Sequence, residues 1–160
     1  MRKLFALVVS AGVLLTIMPM QTSAGRDYLP ICNEIGEKYG ICPELIQAIV
    51  EKESNYNENA VSSHGAIGLM QVIPRWNQDR MDRLGVTDLT DPYQNILCGT
   101  DLISELADKY EDLYLVLMCY NQGEYGGAIE QWENGQYSDY AVSIVERAAE
   151  LEETHRKHAY

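Results

Sequence analysis

The strongest constraint on the fold is that apolar side chains recur at every third or fourth position along most of the chain. The first such stripe is formed by Tyr28, Ile31, Ile35 and Tyr39, and similar stripes continue as far as Leu151. This spacing places side chains on one face of an α-helix, whereas a half-buried strand would alternate. No alternating segment exceeds a few residues, and no repeat or low-complexity linker divides the 160 residues. The sequence therefore predicts a mainly α protein with one core.

Prolines and capping residues divide these stripes into helices. Pro43 and Pro92 stand at predicted first turns, where proline is tolerated, and Asp91 and Ser138 are the predicted N-caps. Pro74 is expected to end or kink the helix before it. The predicted helices cover residues 28–39, 43–55, 66–73, 92–109, 113–120 and 138–151, with a weaker one over 124–133 and an irregular stretch with a short helix over 75–90.

Residues 1–24 have the pattern of a secretory signal peptide. Arg2 and Lys3 precede the apolar run of residues 4–18, and small residues at 22–24 follow where a signal peptidase would cut. The alternative is a retained membrane anchor, but polar residues, a glycine and a proline interrupt the run, and a span needs about 20 apolar residues. The sequence therefore predicts a single domain over residues 25–160, secreted or held in the cell envelope, with no stable membrane span.

The charge balance excludes nucleic acid as a partner. The chain has 24 acidic and 12 basic residues, which gives a formal net charge of −12. Loss of residues 1–24 would remove Arg2 and Lys3 but no acidic residue, so the mature chain would be more acidic still. Phosphate backbones would be repelled. Any anionic polymer would have to be held by a shaped groove rather than by bulk attraction.

The cysteines and histidines predict neither a metal site nor a cofactor. Cys32, Cys42, Cys98 and Cys119 include no C-x-x-C pair, and the three histidines do not complete a ligand set. If all four cysteines were bridged, three pairings would be allowed, so disulfides and buried free thiols both remain open.

One carboxylate lies on an apolar helix face. Ile46, Ile49 and Val50 define the inward stripe of the second predicted helix, and the next member of that stripe is Glu53. Desolvation there would raise the pKa of the carboxyl toward the range of a general acid. The alternative is that the helix ends at this point and Glu53 reaches solvent.

Several ordered blocks resemble the soluble lytic transglycosylase family. Residues 53–57 (Glu-Ser-Asn-Tyr-Asn), 60–62 (Ala-Val-Ser) and 65–71 (Gly-Ala-Ile-Gly-Leu-Met-Gln) are similar to its first signature. Residues 91–96 resemble the helix before its second signature, and residues 120–123 (Tyr-Asn-Gln-Gly) resemble that signature, usually Ala-Tyr-Asn-Ala-Gly. The resemblance covers nearly the whole predicted mature chain and implies a lysozyme-like fold.

The resemblance also implies roles for individual residues. Glu53 aligns with the family's catalytic acid, and the residues implied to bind substrate are Ser62, Gln71, Tyr120, Asn121 and Tyr140. The match around Tyr140 is looser, so a purely structural role for it stays open. Trp76 is interpreted as core or groove wall.

Three positions depart from the family pattern. Cys119 and Gln122 stand where the family has alanine, and Ile73 stands where methionine is frequent. These changes put the shape of the sugar subsites in question more than the reaction. A reactive Cys119 is a further alternative, although no histidine is near it in sequence.

The implied activity is cleavage of the β-1,4 bond between N-acetylmuramic acid and N-acetylglucosamine, with 1,6-anhydromuramic ends, by one glutamate acting as acid and then base. A muramidase hydrolysing the same bond is the nearest alternative, and it would need a second carboxylate such as Asp91, Glu124 or Asp139. The third interpretation is an inactive secreted protein that binds glycans or acts as an inhibitor. A link to secretion or conjugation machinery, phage entry or wall growth stays open.

Overall fold

The computed structural model describes residues 27–158, so the predicted signal peptide lies outside the described residues. Within this described range seven α-helices follow one another, with a π-helical turn over Glu124–Ala128 before the sixth. Their bounds are α1 Leu29–Tyr39, α2 Pro43–Ser54, α3 Pro74–Leu84, α4 Pro92–Lys109, α5 Leu113–Gln122, α6 Ile129–Glu133 and α7 Asp139–His158. Over residues 27–158, no helix has the length and apolarity that crossing a bilayer requires.

Capping explains where the long helices begin. The Asp91 carboxylate accepts a hydrogen bond from the backbone N–H of Gln94, and Ser138 Oγ accepts one from Ala141 N at 3.2 Å. These bonds satisfy N–H groups that have no partner in a first turn. Both predicted caps are confirmed, and α7 continues well past the predicted end at 151.

The core forms where α2 packs against α1 and α7 and where α5 packs against α4 and α7. Ile46, Ile49 and Val50 of α2 are at most 1% exposed, and Val116 and Leu117 of α5 are fully buried. Each such side chain stabilises the fold by about 1.5–3 kcal/mol. The buried stripe of α2 therefore fixes the direction of its last turn, where Glu53 lies.

The predicted helix over residues 66–73 is wrong. This segment is a loop in which Ile67 forms isolated antiparallel bridges with Val61 and Val72. Gly68 and Gln71 both have positive φ, which interrupts a right-handed helix. Pro74 does not end a helix but begins α3, which is the short helix predicted within the irregular stretch of residues 75–90 and occupies most of that stretch.

Asn95 of α4 anchors that loop from below. Its side chain is fully buried, and Oδ1 accepts from Met70 N at 2.8 Å. Its Nδ2 donates to Ile67 O and Leu89 O, both at 2.8 Å. The buried Asn95 amide thus makes three hydrogen bonds to backbone groups of the loop and of Leu89, which in a helix would be paired with other backbone groups. The loop is thus fixed to α4 and can serve as a rigid wall.

All four cysteines are free thiols, so no disulfide forms. Cys32, Cys98 and Cys119 are buried, and Cys42 donates a hydrogen bond to Glu44 Oε2 at 2.9 Å. Burial raises the pKa of Cys32 to about 12 and that of Cys42 to about 11. These thiols remain protonated, and burial likewise raises the pKa of Cys119, which argues against a nucleophilic role.

Candidate active site

A cleft of about 620 Å³ crosses the surface between the last turn of α2, the loop of residues 60–73, α3, α4 and the end of α5. It is large enough for sugar rings. Its lining includes Glu53, Ser62, Gln71, Ile73, Trp76, Asn77, Arg80, Glu105, Tyr120, Asn121, Gln122 and Glu124. Five of the six residues predicted for the site therefore meet in one cavity, and Tyr140 is the exception.

Glu53 stands in the last turn of α2 and faces this cleft. Burial raises the pKa of its carboxyl, while the hydrogen bond from Tyr140 and the nearby charge of Lys52 lower it to a smaller extent. The net rise keeps the carboxyl protonated at pH values where an exposed glutamate is ionised. Glu53 is thus suited to donate a proton to a molecule in the cleft.

Tyr140 of α7 reaches Glu53 from outside the cleft lining. Its hydroxyl donates to Glu53 Oε1 at 2.5 Å. Burial, and then the neighbouring Glu53, raise the pKa of Tyr140 well above its usual value, so it remains a donor. The contact fixes one carboxyl oxygen, which leaves Oε2 for a ligand.

The other predicted residues organise the cleft walls. Tyr120 donates to Met70 O at 2.7 Å and so ties α5 to the loop. Gln71 Nε2 donates to Gly68 O at 3.0 Å, and Ser62 Oγ accepts from Ala66 N at 3.0 Å. Asn121, at the end of α5, is exposed in the cleft lining. The side chains of Tyr120, Gln71 and Ser62 are held by backbone contacts, which limits their motion before a ligand arrives.

An ionic cluster around the buried pair of Arg80 and Asp101 was not predicted. Asp101 of α4 accepts from Arg80 Nε at 3.0 Å, from Arg83 Nη2 at 2.7 Å and from Tyr39 at 3.0 Å. Arg80 also pairs with Glu105 at 2.5 Å. The pKa of Asp101 is lowered, since these donors outweigh its burial. The cluster joins α1, α3 and α4. The only sequence feature that could have indicated it is the pair of arginines three residues apart on α3, Arg80 and Arg83.

The three carboxylates considered as partners for Glu53 have different surroundings. Asp91 caps α4, and Asp139 is exposed at the start of α7 outside the cleft lining. Glu124 lines the cleft, where it accepts hydrogen bonds from Lys109 and Tyr110 that hold its pKa below the usual range. Of the three, only Glu124 shares the cavity with Glu53.

Most of the chain matches a known protein family. The model of the transglycosylase SLT domain matches residues 30–142, a span that includes every predicted site residue. The chain belongs to the transglycosylase SLT domain family. The resemblance found in the sequence is thereby confirmed.

Relatives in this family come from bacteria and a phage. The membrane-bound lytic murein transglycosylase C of Actinobacillus pleuropneumoniae is 36% identical over 127 residues, covering 70% of this chain and 34% of that protein. The transglycosylase of Enterobacteria phage PRD1 is 38% identical over 86 residues, covering 54% and 31% respectively. The chain thus spans about a third of the length of these curated relatives.

A solved structure of the SLT family shares the fold. The crystal structure of the 70-kDa soluble lytic transglycosylase from Escherichia coli superposes with a TM-score of 0.60 at 21% identity, covering 76% of this chain and 22% of that one. The predicted mainly α, lysozyme-like domain is therefore confirmed.

Replacing Glu53 by glutamine should raise the free energy of unfolding at neutral pH. Folding raises the pKa of this carboxyl, so the folded state binds the proton more tightly, and stability falls as pH rises through the folded pKa. The amide has no such dependence. The gain should be small below about pH 4.5, the ordinary value, and should level off above the folded pKa.

Thermal unfolding across this pH range measures the effect, with Glu146→Gln as the matched control on an exposed glutamate. An equal gain in the control, or a gain for Glu53→Gln that is independent of pH, would contradict burial as the cause.

Proposed function

We propose that this SLT domain is a peptidoglycan lytic transglycosylase that cleaves the β-1,4 bond between N-acetylmuramic acid and N-acetylglucosamine. The observation that carries the proposal is a cleft large enough for sugar rings with a desolvated carboxyl, Glu53, at its wall. Membership of the SLT family and relatives named lytic murein transglycosylases support the same activity.

In the first step, protonated Glu53 donates its proton to the glycosidic oxygen. The bond between that oxygen and the anomeric carbon of the muramic acid breaks, and the N-acetylglucosamine side leaves as an alcohol. Burial favours this step because a raised pKa keeps the carboxyl protonated at higher pH than an exposed glutamate. A positive charge develops on the anomeric carbon, and the substrate's own acetamido oxygen stabilises it.

In the second step, the ionised Glu53 accepts the proton of the C6 hydroxyl of the same muramic acid. The C6 oxygen bonds to the anomeric carbon, which closes a 1,6-anhydro ring and returns Glu53 to its protonated form. This route consumes no water and needs one carboxyl, whereas hydrolysis ordinarily uses two.

The remaining side chains position the strand and the acid. Asn121, Ser62 and Gln71 offer polar groups to the sugars, and Tyr120 backs the cleft beside Glu53. Tyr140 is assigned as a positioning residue, because it contacts the acid and not the cleft. Orientation of this kind contributes by holding the reacting groups in place.

The substrate is held by shape rather than by charge. The chain carries a formal charge of −12 and peptidoglycan is also anionic, so long-range attraction does not favour the complex. We assign the enzyme to the secreted or cell-envelope compartment, where peptidoglycan is found, with residues 1–24 as the export signal.

Replacing Tyr140 by phenylalanine should shift the pH dependence of cleavage. The lost hydrogen bond favours the ionised carboxylate, so its removal raises the pKa of Glu53 further. The alkaline limb of kcat/KM should move to higher pH, and kcat should fall roughly tenfold as the carboxyl loses its orientation. Wall-digestion rates across pH measure both effects. Tyr137→Phe, on an exposed tyrosine outside the cleft lining, is the control, and matching profiles for both variants would remove the positioning role.

Products distinguish this activity from its alternatives. Because Glu124 shares the cleft with Glu53, hydrolysis of the same bond by a muramidase is the second candidate. Mass spectrometry of digested peptidoglycan should detect 1,6-anhydromuramic ends, while reducing ends would support hydrolysis. An inactive glycan-binding protein would clear no purified walls in a turbidity assay.

A further inference from the structure

Trp76 is a large aromatic side chain exposed on the wall of the cleft. It is 69% exposed and lies between two other lining residues of the same turn, Ile73 and Asn77. Tryptophan is ordinarily well buried, and exposed aromatic surface inside a concave site is typical of ligand contact. Neither the proposed acid chemistry nor the positioning of Glu53 uses this side chain.

One face of the Trp76 ring is already covered. The guanidinium carbon of Arg75 lies 4.6 Å from the ring centroid, in the geometry of a cation–π contact. Arginine stacks flat on aromatic rings, so this contact restrains the orientation of the indole. The side chain is nevertheless 69% exposed, so most of its surface stays open to a ligand.

The backbone that carries Trp76 is also fixed. Asn77 departs from helical geometry, with φ −123° and ψ 16°, and its side chain is buried. Asn77 Nδ2 donates to Ile73 O, and Asn77 Oδ1 accepts from Arg80 Nη1, both at 3.0 Å. Since Arg80 belongs to the ionic cluster around Asp101, the first turn of α3 is fixed to α4. A restrained ring loses little entropy when a ligand stacks on it.

We propose that Trp76 is a stacking platform for one pyranose ring of the glycan strand. A pyranose presents C–H groups on its faces, and their partial positive charge suits the negative face of an aromatic ring. Stacking needs no ionic attraction, which fits an acidic protein that binds an anionic polymer. This inference rests on the proposed function and assigns that site a sugar-binding residue.

Fluorescence offers a direct test because the chain has two tryptophans. Trp132 is half-buried and outside the cleft lining. In a Glu53→Gln background, Trp132→Phe leaves Trp76 as the sole tryptophan, and Trp76→Phe leaves Trp132, so excitation selective for tryptophan reports one position at a time. Titration with soluble peptidoglycan glycan strands should quench and blue-shift the tryptophan emission of the variant that retains Trp76. The emission of the variant that retains Trp132 should not change.

Calorimetry on the same Glu53→Gln background supplies the affinity. Trp76→Ala should weaken strand binding roughly tenfold, the upper range for an aromatic contact, and Trp76→Phe should weaken it less. Tyr93→Ala removes an exposed aromatic outside the cleft lining and should bind as the parent does. If strands bind but Trp76 emission does not change and Trp76→Ala keeps the affinity of the parent, the stacking role of Trp76 is overturned while the proposed function stands. Absence of any strand binding in the Glu53→Gln parent would overturn the proposed function as well.

Discussion

Replacing Glu53 by glutamine should reduce glycan cleavage by at least about 10³-fold while strand binding persists, since general acid–base catalysis contributes roughly 10²–10⁴-fold and here one residue supplies both steps. The amide has nearly the same shape as the carboxyl and can still accept the Tyr140 hydrogen bond at its oxygen. Its N–H groups are too weakly acidic to protonate a glycosidic oxygen, and its oxygen is too weakly basic to accept a proton from a hydroxyl. The loss should therefore appear in kcat rather than in affinity.

The measurement is release of anhydromuropeptides from purified peptidoglycan, followed by mass spectrometry. Glu51→Gln is the matched control, because Glu51 lies on the same helix but pairs with Arg147 outside the cleft lining. It should keep most of the turnover. Full turnover by Glu53→Gln would show that another group is the acid. If the parent instead gives products with reducing ends and Glu124→Gln loses turnover, a hydrolase that uses two carboxylates would be favoured.

Replacing Gly68 by alanine should destabilise the fold by about 3–5 kcal/mol, the range of severe core disruptions. A Cβ at this position would lie 2.2 Å from both Asn95 Nδ2 and Leu89 O, which are themselves hydrogen-bonded to each other. Gly68 also has a φ of +77°, which costs a non-glycine residue about 1–2 kcal/mol. The added methyl group would displace the amide that anchors the loop.

Gly65→Ala separates crowding from backbone strain. Gly65 has a similar φ of +81°, but a Cβ there would meet nothing within 4 Å. Its cost should stay at about 1–2 kcal/mol. Thermal or urea unfolding measures both variants, and equal losses would mean that the Asn95 anchor does not depend on a close approach at Gly68.

Local signals were sufficient for the elements whose partners are near in sequence. The stripes of α1 and α2 and the cap at Asp91 were predicted because spacing and capping depend on a few neighbouring residues. The same stripe placed Glu53 on a buried face. The family signatures then assigned Ser62, Gln71, Tyr120 and Asn121 to the same site as Glu53. Their separation from Glu53 along the sequence did not by itself indicate that they are close in space.

The failures occurred where distant residues supply the partners. Residues 66–73 look like a short helix, but Asn95, 25 residues beyond Met70, provides the backbone contacts instead. Helix α3 was predicted only as a short helix within an irregular stretch, because its buried side includes the polar Asn77 and Arg80. Burial of Arg80 depends on Asp101 in another helix. The contact between Tyr140 and Glu53 joins residues 87 apart, which no local pattern contains.

The four unbridged cysteines have a consequence for how the protein is made. Because no covalent cross-link contributes to the described fold, its stability comes from helix packing and buried polar contacts alone. The domain can therefore reach its native state without an oxidant or a disulfide isomerase. It should keep that state equally well under the reducing conditions of a cytoplasm and under the oxidising conditions outside it.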